Sequence, residues 1–141
     1  IVCSKLGLDL VICGPQKYFP AQSLVSECND WCKQSGGSIT LTEDIDVACK
    51  DADVIYTDVW VSMGDETEEI QRKKDLSAYQ VDLDLMDMAN EGAIFMHCLP
   101  AVRGQEVTVP VIDGPHSVIF DQAENRLHAQ KAILYHFLKD E

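Results

Sequence analysis

The chain predicts an α/β protein, a doubly wound, Rossmann-like parallel sheet of about five strands with helices on both faces. Three observations carry that expectation. Short apolar runs recur at 9–13, 38–41, 53–57, 93–96 and 117–120. Amphipathic or charged segments separate most of them, as crossover helices do between parallel strands. The 141 residues, 46% of them apolar, are also enough for one sizeable core and argue against intrinsic disorder.

The elements follow in order. Ile1-Val2-Cys3-Ser4-Lys5-Leu6-Gly7 has the pattern of a helix end stopped by glycine, and with no initiator methionine it suggests a piece of a longer chain. Residues 9–13 form an apolar strand closed by Gly14-Pro15. Residues 20–36 place Leu24, Val25, Cys28, Trp31 and Cys32 near helical period and end at Gly36-Gly37. Residues 38–41 are a second strand, and Thr42 is the expected cap of a short helix to Lys50. Residues 53–57 are a third strand. Residues 65–78 are strongly charged and predict a solvated helix, with Gly64 as a hinge for a mobile segment from 64 to 74. A helix over 81–90, a fourth strand over 93–96 and a fifth over 117–120 follow. The last helix spans about 122–139, with Leu127, Ile133, Leu134, Phe137 and Leu138 as its expected buried stripe.

Charge and cysteine usage exclude several classes. The formal net charge of −13 repels phosphate backbones and anionic lipid, so nucleic acid and membrane surfaces are disfavoured partners. No signal peptide or membrane-length apolar run is present. The six cysteines include no C-x-x-C pair and point to a reducing, cytoplasmic-type compartment. Cys28 and Cys32 have helical spacing but no nearby histidine to complete a metal site. No G-x-G-x-x-G or Walker-type loop occurs, which argues against a dinucleotide or ATP as ligand. No cofactor or metal is expected.

Three polar clusters stand where predicted strands end, and open parallel sheets bind ligands outside those carboxyl ends. Asp58-Val59-Trp60-Val61-Ser62-Met63-Gly64 follows the third strand; Asp58 suits an ammonium, and the glycine lets backbone N–H groups approach a carboxylate. His97-Cys98-Leu99-Pro100 follows the fourth. Neighbouring residues at a strand end point in different directions, so Cys98 is expected to face the ligand while His97 supports the loop. Glu124-Asn125-Arg126 follows the fifth, with Arg126 able to polarise a carbonyl or hold an anion. Each cluster alone has a plainer explanation: a turn cap, an inert thiol, a surface ion pair. His116, His128 and His136 look structural.

Taken together, these clusters resemble the carboxy-terminal half of ornithine carbamoyltransferases, over essentially the whole chain. The H-C-L-P form is typical of transcarbamoylases acting on ornithine and its relatives, and S-M-G favours ornithine over putrescine. The resemblance implies one ornithine-binding domain over 1–141. The carbamoyl phosphate-binding domain expected upstream, with its S-T-R-T and H-P-x-Q segments, is not in the sequence. It implies that Asp58, Ser62 and Met63 hold the amino-acid end of L-ornithine and that Cys98 sits beside its δ-amino group. Leu99 would contact the carbamoyl amide through its carbonyl, and Arg126 the carbamoyl oxygen. Cys98 and Arg126 would be the catalytic residues, and the loop from Ser62 would close over the substrate. It further implies carbamoyl phosphate as second substrate, citrulline and phosphate as products, and a role in arginine biosynthesis or the urea cycle. The full-length enzyme would be a homotrimer or a multiple of trimers, in the cytoplasm or, in a eukaryote, the mitochondrial matrix. This chain alone is expected to be inactive. Alternatives are a sibling transcarbamoylase using putrescine or an acylated ornithine, a non-catalytic amino-acid-binding module, and a nucleotide-dependent oxidoreductase half.

Overall fold

The computed structural model describes residues 1–61 and 66–139. The chain divides into two compact units, residues 1–50 and 51–141.

In the first unit, α1 (Val2–Leu6) ends at Gly7, whose φ of 74° is the left-handed cap read from the sequence. A side chain at Gly7 is also barred by space, since a Cβ there would lie 2.6 Å from the Ser35 carbonyl oxygen. β1 (Asp9–Cys13) pairs in parallel with β2 (Ser38–Thr42), Asp9 opposite Ser38 and Cys13 opposite Thr42. Between them runs α2 (Gln22–Ser35), burying Val25, Cys28 and Cys32 at helical spacing. Those two thiols act as small apolar side chains on the helix's inner face. α3 (Ile45–Cys49) is capped by Asp44, whose carboxylate accepts from the N–H groups of Asp46 (3.0 Å) and Val47 (3.3 Å). Thr42, the expected cap, instead accepts from the Asp44 N–H at 3.0 Å. The helix starts later than read because Asp44 offers a charged acceptor to its first turn.

In the second unit, β3 (Val54–Thr57) pairs in parallel with β4 (Ile94–His97), Val54 opposite Ile94 and Thr57 opposite His97. The charged segment forms α4 (Glu69–Leu76), laced by Glu68–Arg72 and Glu69–Lys73 pairs one turn apart. α5 (Leu83–Asp87) is shorter than predicted. Asp82 caps it through the Leu85 N–H, while Val81 exchanges backbone hydrogen bonds with Glu106 and Thr108. A short α6 (Val109–Ile112) had no counterpart in the sequence reading. The core gathers Phe95, Val107, Ile112 and Ile119, all 2% exposed or less.

The protein is therefore α/β with parallel strands and a Rossmann-like arrangement, with four strands among the described residues. The predicted fifth strand is reduced to one bridge. Ser117 pairs with Phe95 alone, through Phe95 N–H to the His116 carbonyl (2.8 Å) and Val118 N–H to the Phe95 carbonyl (3.0 Å). Helix α7 (Ile119–Leu138) then begins at once. Ile119 meets its apolar demand by entering the core from the helix's first turn, leaving Phe120 75% exposed. The expected buried stripe of α7 is also absent. Leu127, Ile133, Leu134, Phe137 and Leu138 are all exposed, because only the amino-terminal part of the helix packs on β4.

Candidate active site

The parallel register builds the site. Partners in a parallel pair project to the same face, and successive residues alternate. On one face Ile55 and Thr57 lie beside Phe95 and His97, the latter pair buried. On the other, Val54 and Tyr56 lie beside Ile94 and Met96. One step beyond the strand ends, the same alternation delivers Asp58 and Cys98 to the open face.

The geometry follows. A carboxylate oxygen of Asp58, a ring nitrogen of His97 and the Cys98 sulfur lie within 4.8 Å of one another. Asp58 and Tyr56 are the side chains that act on the Cys98 thiol. Burial raises the Cys98 pKa from its ordinary value, Asp58 adds to that, and Tyr56 opposes it. Asp58 also closes its own turn by accepting from the Val59 N–H at 2.7 Å. The turn-cap reading of Asp58 is thus borne out, and the same carboxylate lies beside Cys98.

The His97 ring is buried in the core, with one nitrogen still within 4.8 Å of the Cys98 sulfur. Its Nδ1 accepts from the Leu99 N–H at 2.9 Å. A backbone N–H can only donate, so Nδ1 is unprotonated and the neutral ring carries its proton on Nε2. That nitrogen lies 3.2 Å from Oε1 of Glu106, and both side chains are fully buried. The same Oε1 accepts from the Val102 N–H at 2.5 Å. Both ring nitrogens are occupied, which makes His97 a strut beneath the loop. Leu99 adopts φ +55°, and a cis peptide joins it to Pro100. The left-handed conformation costs a non-glycine residue about 1–2 kcal/mol, and the Leu99–His97 bond holds it there.

Helix α7 closes the third side. Gln122 accepts from the His97 N–H at 3.0 Å through Oε1 and reaches Tyr56 Oη at 3.0 Å through Nε2. Arg126 lies one helical turn further on the same face, about 6 Å along the axis, and is exposed. Asp58 and Cys98 are therefore in contact as the sequence predicts, and Leu99 follows directly. Ser62 and Met63 lie outside the described residues.

Sequence reading missed three participants. Tyr56 had a signal, standing two residues before Asp58 and so on its face of the strand. Gln122 had one too, standing four residues before Arg126. Glu106 had none, since only the Val81–Val107 pairing drives it inward. A separate cavity of about 590 Å³, lined by Met86, Ala93, Val111 and His116 among others, opens at the amino-terminal end of β4. It is remote from this chemistry, which sits at the other end of the strand.

The fold and site define an α/β domain with a carboxylate beside a thiol at the carboxyl ends of parallel strands. Residues 1–137 match the family Aspartate/ornithine carbamoyltransferase, Asp/Orn binding domain, and the chain belongs to that family. It is 57% identical over 139 residues to the ornithine carbamoyltransferase of Methanobrevibacter smithii, covering 99% of this chain and 46% of that one. The solved ornithine carbamoyltransferase of Pyrococcus furiosus superposes with a TM-score of 0.87 at 52% identity, covering 94% of this chain and 42% of that one. The ornithine transcarbamoylase of Giardia lamblia gives 0.88 at 39% identity, covering 99% and 45%. The chain thus spans somewhat less than half the length of the relatives it matches.

Proposed function

We propose that this chain is the amino-acid-binding half of an enzyme that transfers a carbamoyl group from carbamoyl phosphate to the δ-amino group of L-ornithine, giving L-citrulline and phosphate. The observation that carries the reading is the Asp58–Cys98 pair, set side by side at the ends of β3 and β4 in a chain of this family. The domain that binds carbamoyl phosphate comes from the rest of the relatives' length. The same family resemblance supplies the remaining parts of the reading: a single ornithine-binding domain over 1–141, a homotrimer or multiple of trimers, a cytoplasmic setting and a place in arginine biosynthesis. Among the described residues no helix is long and apolar enough to cross a membrane.

The chemistry sets a requirement. The attacking amine must be neutral, and a lysine-like amine has a pKa of about 10.4. At pH 7 that is a penalty of about 4.6 kcal/mol, at about 1.36 kcal/mol per unit. Excluding water disfavours the ammonium and removes part of it. Asp58 binds the α-ammonium, with Ser62 and Met63 at the same end of the substrate. Neutralising Asp58 in this way withdraws its upward push on the Cys98 pKa, so substrate binding itself favours the thiolate. Cys98 then accepts the δ-ammonium proton without forming a covalent intermediate. Leu99 presents its carbonyl to the carbamoyl amide. Arg126 stabilises the oxyanion of the tetrahedral intermediate.

The deciding experiment is Asp58→Asn in the full-length protein. A hydrogen bond to a charged group contributes about 1.5–3 kcal/mol, so the ornithine KM should rise about 10- to 150-fold. An unchanged KM removes Asp58 from the site. The 141-residue chain alone, given both substrates, should show no useful turnover.

A further inference from the structure

Strand β4 carries one backbone donor more than the segment beside it can accept. On the edge away from β3, the Phe95 N–H donates to the His116 carbonyl at 2.8 Å, and the Val118 N–H returns to the Phe95 carbonyl at 3.0 Å. Two residues on, the His97 N–H points to the same edge, where a continued strand would offer the Val118 carbonyl. That carbonyl is already turned into helix α7, accepting from the Gln122 N–H at 2.9 Å. The Gln122 side chain supplies the acceptor instead, its Oε1 receiving the His97 N–H at 3.0 Å. Its Nε2 donates in turn to Tyr56 Oη, 3.0 Å away on the neighbouring strand β3. One amide thus spans β3, β4 and α7 at the carboxyl ends of both strands.

The helix has little else to hold it. Ile119 enters the core, whereas Leu127, Ile133, Leu134, Phe137 and Leu138 are exposed. Among the described residues, Gln122 is the last of α7 to hydrogen-bond another element. Ile119, Gln122 and Arg126 are spaced by three and four and share one face of the helix. Arg126 therefore stands one turn beyond the last tether.

We propose that Gln122 is a positioning residue: it replaces the missing rung of the sheet, locks the first turns of α7 to the ends of β3 and β4, and so fixes where Arg126 stands relative to Cys98. The proposal rests on the reading of Arg126 as the group that meets the carbamoyl oxygen. An interaction made only in the transition state shows in kcat and not in KM. A misplacement of about 1 Å can cost about 100-fold in rate.

The test uses the full-length protein, with steady-state kinetics on ornithine and carbamoyl phosphate beside amide hydrogen exchange. Gln122→Met keeps the length of the side chain and removes both hydrogen bonds. The His97 amide should lose its protection while the Phe95 amide, held by the His116 backbone, keeps it. The kcat should fall about 10- to 100-fold, with the ornithine KM within about threefold of the parent value. Gln122→Glu still accepts from the His97 N–H, and the Tyr56 hydroxyl can donate to the new carboxylate. It should restore the protection at His97 and recover most of the rate. An unchanged kcat in the methionine variant, a loss confined to KM, or a glutamate variant that protects His97 yet stays as slow overturns the proposal. If the methionine change also exposes the Phe95 amide, Tyr56→Phe decides, because it cuts the β3 arm alone. It should lower kcat about three- to tenfold with Phe95 still protected, and no fall in kcat overturns the clamp. Arg126→Ala separates the two ideas. If it leaves kcat unchanged, the reading of Arg126 fails whatever Gln122 does. If it lowers kcat and Gln122→Met does not, the clamp fails and that reading stands.

Discussion

Replacing Glu106 by alanine tests the strut beneath the site. Its Oε1 receives two donors, the fully buried Nε2–H of His97 at 3.2 Å and the part-buried Val102 N–H at 2.5 Å. Leaving a buried donor unpaired costs about 1–3 kcal/mol, and the part-buried Val102 N–H adds less than that. Removing one partner from a buried pair of this kind costs about 3–5 by comparison. Glu106→Ala should therefore destabilise the second unit by about 4 kcal/mol. Glu106→Gln keeps an acceptor oxygen at the same reach and should cost less than about 2. Native-state hydrogen exchange in the full-length protein reads this locally. The Val102 amide should lose its protection in the alanine variant, and the Phe95 amide, paired with the His116 carbonyl, should exchange faster as β4 loosens. A loss within about 1 kcal/mol of zero, or a glutamine variant as damaged as the alanine one, refutes the reasoning.

Two further changes probe other links. Gly114→Ala should destabilise the turn after α6, because the added Cβ would clash with the Pro110 carbonyl oxygen, a backbone atom that cannot swing aside. A cost of at least about 1–3 kcal/mol is expected from overpacking, and unchanged exchange at the Ile112 amide contradicts it. Cys98→Ser in the full-length protein should weaken ornithine use without abolishing transfer. Trapping a carbamoyl thioester at Cys98 contradicts the role assigned to it.

What the sequence revealed, and what it hid, divides along physical lines. β1 was legible to the residue because Asp-Leu-Val-Ile-Cys is bounded by local signals, Gly7 before it and Gly14-Pro15 after. The left-handed stops at Gly7 and Gly36 were legible for the same reason. The segment at 117–120 misled because Ser-Val-Ile-Phe has the β-branched and aromatic content of a strand. Its fate is decided non-locally, by how much of β4 remains unpaired and by the core position that Ile119 fills. The exposed stripe of α7 misled for a related reason. Leu127, Ile133 and Leu134 have the spacing of a buried face, yet spacing does not say what covers it. Asp58 and Cys98 were legible because strand-end position is a local property. Glu106 was not, because its burial is created by residues 81 and 107 meeting across the fold.

The division of labour within His97-Cys98 follows from one constraint. Adjacent residues on a pleated strand cannot face the same way, so a residue pair at the end of a buried strand must split between core and crevice. The imidazole goes inward, where a partner of matching polarity is required, and Glu106 supplies it. The thiol goes outward, where parallel register has already set Asp58 beside it. Shifting β4 by one residue against β3 exchanges these fates at once: the imidazole reaches the crevice and the thiol is buried against Glu106. The fully buried His97–Glu106 pair therefore does more than support a loop. Any register that turns His97 outward leaves the Glu106 carboxylate in the core without its imidazole partner, and so the pair selects the one alignment in which the sulfur meets the carboxylate.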